Sequence, residues 1–388
     1  MFLSSPFFSP DNAGAFLEVD LGAIQANWRL LRSRLEGAEC AAVVKADAYG
    51  LGARQVAEAL YRVGCRRFFV AHLGEGMALR LVLPSDAQIH VLHGVPAGCE
   101  ADCLAHGLVP VLNSVAQLRA WQQLAGRQGR ALPAILQVDT GMARLGLAAD
   151  ELAALVGAPG GLEGIVPRHL MSHLVAAEDP AEGINRLQLE RFRQARSLLP
   201  GVKASLANSS GIFLGPEYHF DLARPGAALY GVAPVVGQAN PMRAVIRLRA
   251  RVIQTRRVPV GAGVGYGHAW QAQRPSRIAT LAVGYADGYL RSLGNRGEVG
   301  FEGRRLPVIG KVSMDTLTVD VTDVPEGHLE EGGLVDVADP LGDVDAIASR
   351  AGTIGYEVLT SLGRRYARSY VGAEVEGGQQ EGTLQKGE

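Results

Sequence analysis

Ala41-Ala42-Val43-Val44-Lys45-Ala46-Asp47-Ala48-Tyr49-Gly50 is the stretch whose reading decides the fold. Four consecutive apolar residues, bounded by a polar segment ending in glycine, predict a short buried strand that passes into a loop at Lys45. The mouths of such strands are where α/β proteins place their chemistry. An ammonium there must be solvated, paired, or partly deprotonated by its surroundings, and the last case makes an amine fit for a Schiff base. Taken alone, the segment more commonly belongs to a lysine that snorkels out of a strand end.

Outward from this strand, strand-like and helix-like segments alternate. Phe16 to Val19 precedes a helix with Ile24, Trp28, Leu31 and Leu35 on one face and Asp20 as its cap. Ala53, Val56, Ala57 and Leu60 repeat at helical spacing after Lys45. Further strands are expected at Phe68 to Ala71, Ile89 to Leu92, Leu108 to Leu112, Ala134 to Val138, His169 to Ser172 and Ala204 to Ala207. Eight strands separated mostly by helices predict an α/β fold of the (β/α)8 TIM-like barrel type, with its active face formed by the loops after the strands.

After Pro241 the pattern changes. Met242, Ala244, Ile246, Leu248, Ala250 and Val252 alternate with a mostly arginine face, the period of a half-buried strand. Short strands are expected at Arg277 to Val283, Val299 to Phe301, Leu317 to Val321 and Leu334 to Ala338, and helices near Asp343 to Ala351 and Tyr356 to Leu362. The expected division is a barrel over residues 1–240 and a mainly antiparallel β domain over 241–388, with a disordered polar tail after about Glu374.

Bulk properties exclude several classes. The chain has 388 residues, 47% hydrophobic, enough for two domains with their own cores. A formal net charge of −1, with both signs mixed along the chain, argues against nucleic acid or an anionic membrane as partner. Cys40, Cys65, Cys99 and Cys103 form no CxxC pair and no cluster at metal spacing, so free thiols in a reducing cytoplasm and no metal are expected. The N-terminal MFLSSPFFSPDN has no basic region and is broken by prolines, a poor signal peptide, and no stretch approaches the ~20 apolar residues of a membrane span.

Polar clusters fall at the barrel's strand ends. Asp139-Thr140-Gly141-Met142-Ala143-Arg144-Leu145-Gly146 is a glycine-rich loop with one arginine, suited to an anion or to an ordinary turn. Asn208-Ser209-Ser210-Gly211 and Arg224-Pro225-Gly226-Ala227 combine small residues with hydroxyls and free backbone N–H groups, as a phosphate cradle requires. With Lys45 they supply an amine for an aldehyde, a phosphate site and a guanidinium, the requirements of pyridoxal phosphate.

The chain resembles the bacterial alanine racemases over roughly residues 15 to 370. The resemblance rests on AVVKADAYGLG (Ala42 to Gly52), DTGMARLG (Asp139 to Gly146), SHL (Ser172 to Leu174), ANSSG (Ala207 to Gly211) and ARPGAALYG (Ala223 to Gly231) in the first part. It continues through VGYGHAW (Val264 to Trp270), VGYADGY (Val283 to Tyr289), GKVSMD (Gly310 to Asp315) and TIGYE (Thr353 to Glu357). It implies a pyridoxal phosphate enzyme that interconverts L- and D-alanine, supplies D-alanine for peptidoglycan, and works as a head-to-tail homodimer.

By that resemblance Lys45 holds the cofactor and is the base on the D face, and Tyr266 from the partner subunit is the base on the L face. Two bases on opposite faces are what racemisation demands. A tyrosine ordinarily titrates near ~10, so Tyr266 needs cationic neighbours. Tyr285 is placed in the entry corridor. Arg224 faces the pyridine nitrogen, with His173 as its hydrogen-bonding neighbour. Tyr49, Asn208, Ser209, Gly226, Ala227 and Tyr356 are matched to the cofactor site, chiefly the phosphate, and Arg144 to the phenolic oxygen and the substrate carboxylate. Met314 and Asp315 are the partner subunit's share of the substrate site. One position departs from the pattern. Many members carry a carbamylated lysine where this chain has Gln137, which cannot be carbamylated but can accept a hydrogen bond from Arg144.

Other readings separate on the residues. A broad-specificity amino-acid racemase would share nearly every motif. A decarboxylase of the same barrel class would be expected to carry a GGG phosphate loop and a C-terminal Cys-Asp pair, neither of which is seen. A non-enzymatic pyridoxal phosphate carrier generally lacks the second β domain that residues 241 to 370 form here.

Overall fold

The computed structural model describes residues 11–338 and 344–373. The N-terminal ten residues, Asp343 and the tail after 373, on which expectations were stated above, lie outside the described residues. Among the described residues no helix is long and apolar enough to cross a membrane.

The chain builds a parallel barrel and a mainly antiparallel β domain. The barrel strand that leads to Lys45 comes in two pieces, Glu39–Cys40 and Ala42–Val43. Arg67–Val70, Gln88–Val91, Leu108–Leu112, Leu132–Gln137, Ile165–Met171 and Lys203–Ser205 then pair in parallel, each with the next. Leu222–Ala223 closes the ring. It pairs in parallel with Glu39–Cys40 on one side, and on the other Asp221 N–H donates to Ala204 and Arg224 N–H to Ala207. Near-continuous burial along these strands fits a sheet covered on both faces.

One strand is corrected. Phe16 to Val19 does not open the barrel: the strand Ala15–Asp20 lies in the β domain's sheet, antiparallel to Ile246–Val258 and parallel to Ala367–Val371. Its alternating burial gives the reason, because every second side chain reaches the core and the others face away. The eighth barrel strand is the two-residue Leu222–Ala223, in a stretch where the sequence analysis expects no strand. The loop of Asp139 therefore follows the fifth barrel strand, not the sixth, and that of Asn208 the seventh, not the eighth.

The 13-residue strand Ile246–Val258 organises the β domain. Its first half pairs with Ala15–Asp20 and Leu334–Ala338, its second half with Ser276–Leu281. Glu298–Phe301, Arg304–Ile309 and Leu317–Asp320 complete the sheet. The helix Leu21–Ser33 is capped as expected, with Asp20 Oδ1 accepting from Ala23 N–H at 2.8 Å, and it buries Ile24, Trp28 and Leu31. One continuous apolar core runs through both parts.

Two histidines lie within the barrel. His90, stacked on Phe69 at 4.6 Å, and His169 are buried, and neither ring nitrogen of either has a hydrogen-bond partner among the described residues. Burial, with the Arg67 guanidinium adding to it, holds both imidazoles neutral, His90 well below its ordinary value of 6.5 and His169 at about 4. The unfolded chain takes up these protons near pH 6.5 and the folded one does not, so this stability is complete above 6.5 and lost as pH falls toward 4. Melting temperature should therefore decline over that window. His169→Asn, which cannot titrate, should flatten the decline in thermal melts at stepped pH; an unchanged slope in both His169→Asn and His90→Phe would contradict the assignment.

Candidate active site

Backbone conformation at Lys45 is unusual. Val44 N–H still donates to Phe69 in the neighbouring strand at 2.8 Å, and the chain then turns through Ala46, Asp47, Ala48 and Tyr49, all at positive φ of 52 to 55°. A left-handed turn of non-glycine residues costs about 1–2 kcal/mol per residue, and its ends are tied down accordingly. Ala46 N–H donates to Glu75 Oε1 at 2.7 Å, and Ala53 N–H donates to Asp47 Oδ1 at 2.8 Å. The turn carries Tyr49 back beneath the strand end, where its ring lies 4.7 Å from Tyr230 and 6.2 Å from Tyr356.

Lys45 opens into a cavity of about 1410 Å³ at the C-terminal face of the barrel, and every residue expected to hold the cofactor lines it. Burial lowers the lysine's pKa, the Arg144 guanidinium lowers it further, and the Glu75 carboxylate opposes both. The amine is thus shifted toward its neutral, nucleophilic form.

Ser209 Oγ joins the loops after the seventh and eighth strands by accepting from Gly226 N–H at 2.9 Å and Ala228 N–H at 3.2 Å. Asn208 Oδ1 accepts from Gly211 N–H at 2.8 Å and so fixes the turn behind Ser209. Gly226 is required by close approach: a Cβ there would lie 2.4 Å from Tyr49 Oη. Burial raises the pKa of Tyr49 and of Tyr356, which keeps both phenols protonated as donors to an anion.

Arg224 is buried beneath the cavity. Its Nη2 donates to the carbonyls of Ser172 at 2.6 Å and Leu206 at 3.4 Å, and its Nη1 donates to Ser205 Oγ. These bonds correct the expectation that His173 is its hydrogen-bonding neighbour. His173 is near enough to feel the guanidinium: burial, then Arg224 and Arg144, push its imidazole down to about 3, so it is neutral at any working pH. Burial lowers Arg224 to about 9, which leaves it charged near neutrality.

The loop of Arg144 is built on Asp139. Burial disfavours the charge of its carboxylate, but N–H donors from Gly141, Met142 and Ala143 at 2.8 to 3.0 Å outweigh that and hold it below the usual range. Gln137 is buried, and its Nε2 donates to the Leu145 carbonyl at 3.1 Å. The expected acceptance from Arg144 is replaced by this bond to the backbone next to it, a neutral tether one residue from the guanidinium.

Tyr266, Met314 and Asp315 are elsewhere. They lie on the β domain, do not line this cavity, and Tyr266 and Met314 are 69% and 53% exposed. Asp315 is ordered by Arg365, which reaches its Oδ1 at 2.7 Å while pairing with both oxygens of buried Asp287. Ala286 N–H donates to the Met314 carbonyl at 2.9 Å, which ties the loops of Tyr285 and Met314 together. Glu75 and the Ser172–Ser205 pair were not singled out from the sequence. Glutamate three residues after a cap position is the signal that existed for Glu75, but histidine fills the cap.

Gly226→Ala tests the cradle. Forcing a methyl against Tyr49 costs about 1–3 kcal/mol, so pyridoxal phosphate should bind at least about fivefold more weakly in a fluorescence titration, with the fold retained by circular dichroism. Unchanged affinity would remove Gly226 from the site.

Comparison with known proteins identifies the family. The family model "Alanine racemase, N-terminal domain" matches residues 19–234, and "Alanine racemase, C-terminal domain" matches residues 245–370. A catabolic alanine racemase of Mesorhizobium japonicum is 52% identical over 360 residues, 93% of this chain and 94% of that one. An alanine racemase of Rhodospirillum rubrum is 51% identical over 370 residues, 95% and 99% of the two chains. Among solved structures, an alanine racemase from Bartonella henselae with covalently bound pyridoxal phosphate superposes with a TM-score of 0.89 at 43% identity, covering 92% of this chain and 100% of that one. Both family models match, together spanning most of the chain, and relatives about half identical cover it nearly end to end, so the chain belongs to the alanine racemase family.

Proposed function

We propose that this protein is an alanine racemase that uses pyridoxal phosphate held by Lys45 to interconvert L- and D-alanine. The observation that carries the reading is a single cavity holding a lysine amine shifted toward neutrality, the Ser209–Gly226 cradle and the buried Arg224 guanidinium. The residues fit the cofactor. A Cβ would close the cradle at Gly226, two protonated phenols border it, and an amine stands at its mouth. When bound, pyridoxal phosphate supplies an electron sink that acidifies the Cα–H bond of an attached amino acid.

The chain's own residues do the rest. Lys45 would hold the aldehyde until the substrate amine displaces it, and the amine so freed, shifted toward neutrality, would serve as the base on the D face. Ser209, Gly226, Ala227, Asn208, Tyr49 and Tyr356 hold or frame the phosphate. Arg224 donates but cannot accept, so a ring nitrogen facing it stays unprotonated, which restrains charge delocalisation and side reactions. His173, neutral beside it, adds no competing charge. Arg144 binds the alanine carboxylate and the phenolic oxygen, and Gln137 orients its loop without adding charge.

Tyr266 is the base on the L face, and its position supports a shared site. It is absent from the cavity of its own chain and exposed on the β domain with Met314 and Asp315 nearby in the family pattern, so a second copy must bring it to Lys45. The working unit in this reading is a cytoplasmic homodimer of two-part chains divided near residue 240, supplying D-alanine for peptidoglycan.

Incubation with single L-amino acids, followed by chirality, should give D-alanine at near equal proportion from L-alanine. Comparable rates on bulky amino acids would indicate a broad-specificity racemase. Borohydride should fix the cofactor to Lys45, and Lys45→Ala should reduce turnover by at least about 10²-fold while staying folded; attachment to another lysine would refute the assignment.

The shared site has its own test. Tyr266→Phe should lose about 10²–10⁴ in turnover with cofactor binding retained. Mixing inactive Lys45→Ala and Tyr266→Phe chains under subunit exchange should restore activity, because one site of each heterodimer then has both native bases. Inactivity despite demonstrated exchange would put both bases on one chain.

A further inference from the structure

We propose that Glu75 is a positioning residue for Lys45: by bridging Ala46 N–H to Ala71 and His72 N–H, its carboxylate pins the left-handed turn that begins at the lysine to the end of the neighbouring barrel strand. The inference rests on the reading of Lys45 as the cofactor's amine.

Glu75 sits in the first turn of the helix Leu73–Arg80, where a carboxylate caps by accepting from the preceding backbone. One oxygen is enough for that task. Oε2 accepts from Ala71 N–H at 2.8 Å and His72 N–H at 3.0 Å. Oε1 leaves the helix altogether and accepts from Ala46 N–H at 2.7 Å. Ala46 is the first of four successive non-glycine residues with φ near 55°, a conformation the sequence would not hold unaided. Asp47 secures the far end of the turn through Ala53, and Glu75 secures the end that carries the lysine.

The same carboxylate supplies charge. Lys45 is faced by Arg144 from the loop after the fifth strand, by His93 after the third, by His173 after the sixth, and by Glu75 after the second. Glu75 is the carboxylate among these four, and it favours the ammonium that burial and Arg144 disfavour.

Three variants of the full-length chain separate the two effects. The readouts are pyridoxal phosphate affinity and the pH dependence of borohydride trapping at Lys45. In E75Q one of the two acceptor oxygens becomes an NH2 and the charge is gone. Affinity should fall by roughly tenfold, as loss of a charge-assisted hydrogen bond implies, and the midpoint of the trapping profile should move down by about one pH unit. In E75D the charge stays but the side chain is too short, so affinity should fall with little movement of the midpoint.

Adding A46G to E75Q supplies a residue that takes positive φ freely. Affinity should return to within about threefold of the wild type while the midpoint stays displaced. A simple packing role for Glu75 would move neither the midpoint nor respond to A46G. Wild-type affinity and midpoint in E75Q, or no recovery with A46G, would overturn the proposal. If E75Q fails to fold by circular dichroism, E75D and E75D/A46G decide it by the same affinity criterion. Trapping that is normal at Lys45 but indifferent to residue 75 refutes the role of Glu75 alone; absence of trapping at Lys45 in the wild type refutes the reading beneath it.

Discussion

The left-handed turn from Ala46 to Tyr49 is the constraint around which the site is arranged. A right-handed exit from the same strand would not return Tyr49 to Tyr230 and Gly226, and amine and cradle would lose their common wall. The turn lets Lys45 and Tyr49, four residues apart, line one cavity while the Tyr49 ring packs 4.7 Å from Tyr230. Its conformational cost is met by neighbours with no other reason to meet, among them a helix-capping glutamate and a glycine that leaves room for a phenol. Strain of this kind persists where surrounding structure overdetermines it.

Electrostatics divide the cavity in two. On the side of Arg224 four groups each hold one state near neutrality: burial keeps His173 neutral and Tyr49 and Tyr356 protonated, and Arg224, though lowered by burial, stays charged. That half behaves as a fixed array of donors. Around Lys45 the forces are opposed, with burial and Arg144 against Glu75. A group that must both attach and carry a proton belongs where the balance is close.

Much of this was legible in the sequence because chemistry-bearing segments sit at strand ends. Lys45 after four apolar residues, DTGM after a strand and ARPG near a cradle all announced themselves by the switch from apolar run to polar loop. The closing barrel strand did not, since Leu222–Ala223 is too short to carry a period. The strand Ala15–Asp20 was misplaced although its alternation, Phe16 and Glu18 against Leu17 and Val19, already suggested a one-sided sheet. Pairing partners of buried polar groups were also out of reach. Gln137 binding the Leu145 carbonyl and Arg224 binding Ser172 and Ser205 depend on three-dimensional approach rather than spacing.

The pairing of Ala15–Asp20 with Ile246–Val258 and Ala367–Val371 has a consequence for how the protein forms. The entire barrel is threaded between the first strand of the β domain and the rest of it. Ala15 meets Ala250, and Phe16 meets Ala367, so both contacts close very long loops; the first waits until the barrel has been made, the second until residue 367 has followed it. The barrel strands lie closer together in sequence and can assemble earlier, leaving the first strand waiting with an unpaired edge. Synthesis therefore favours an order, barrel first and the sheet that takes in Ala15–Asp20 last.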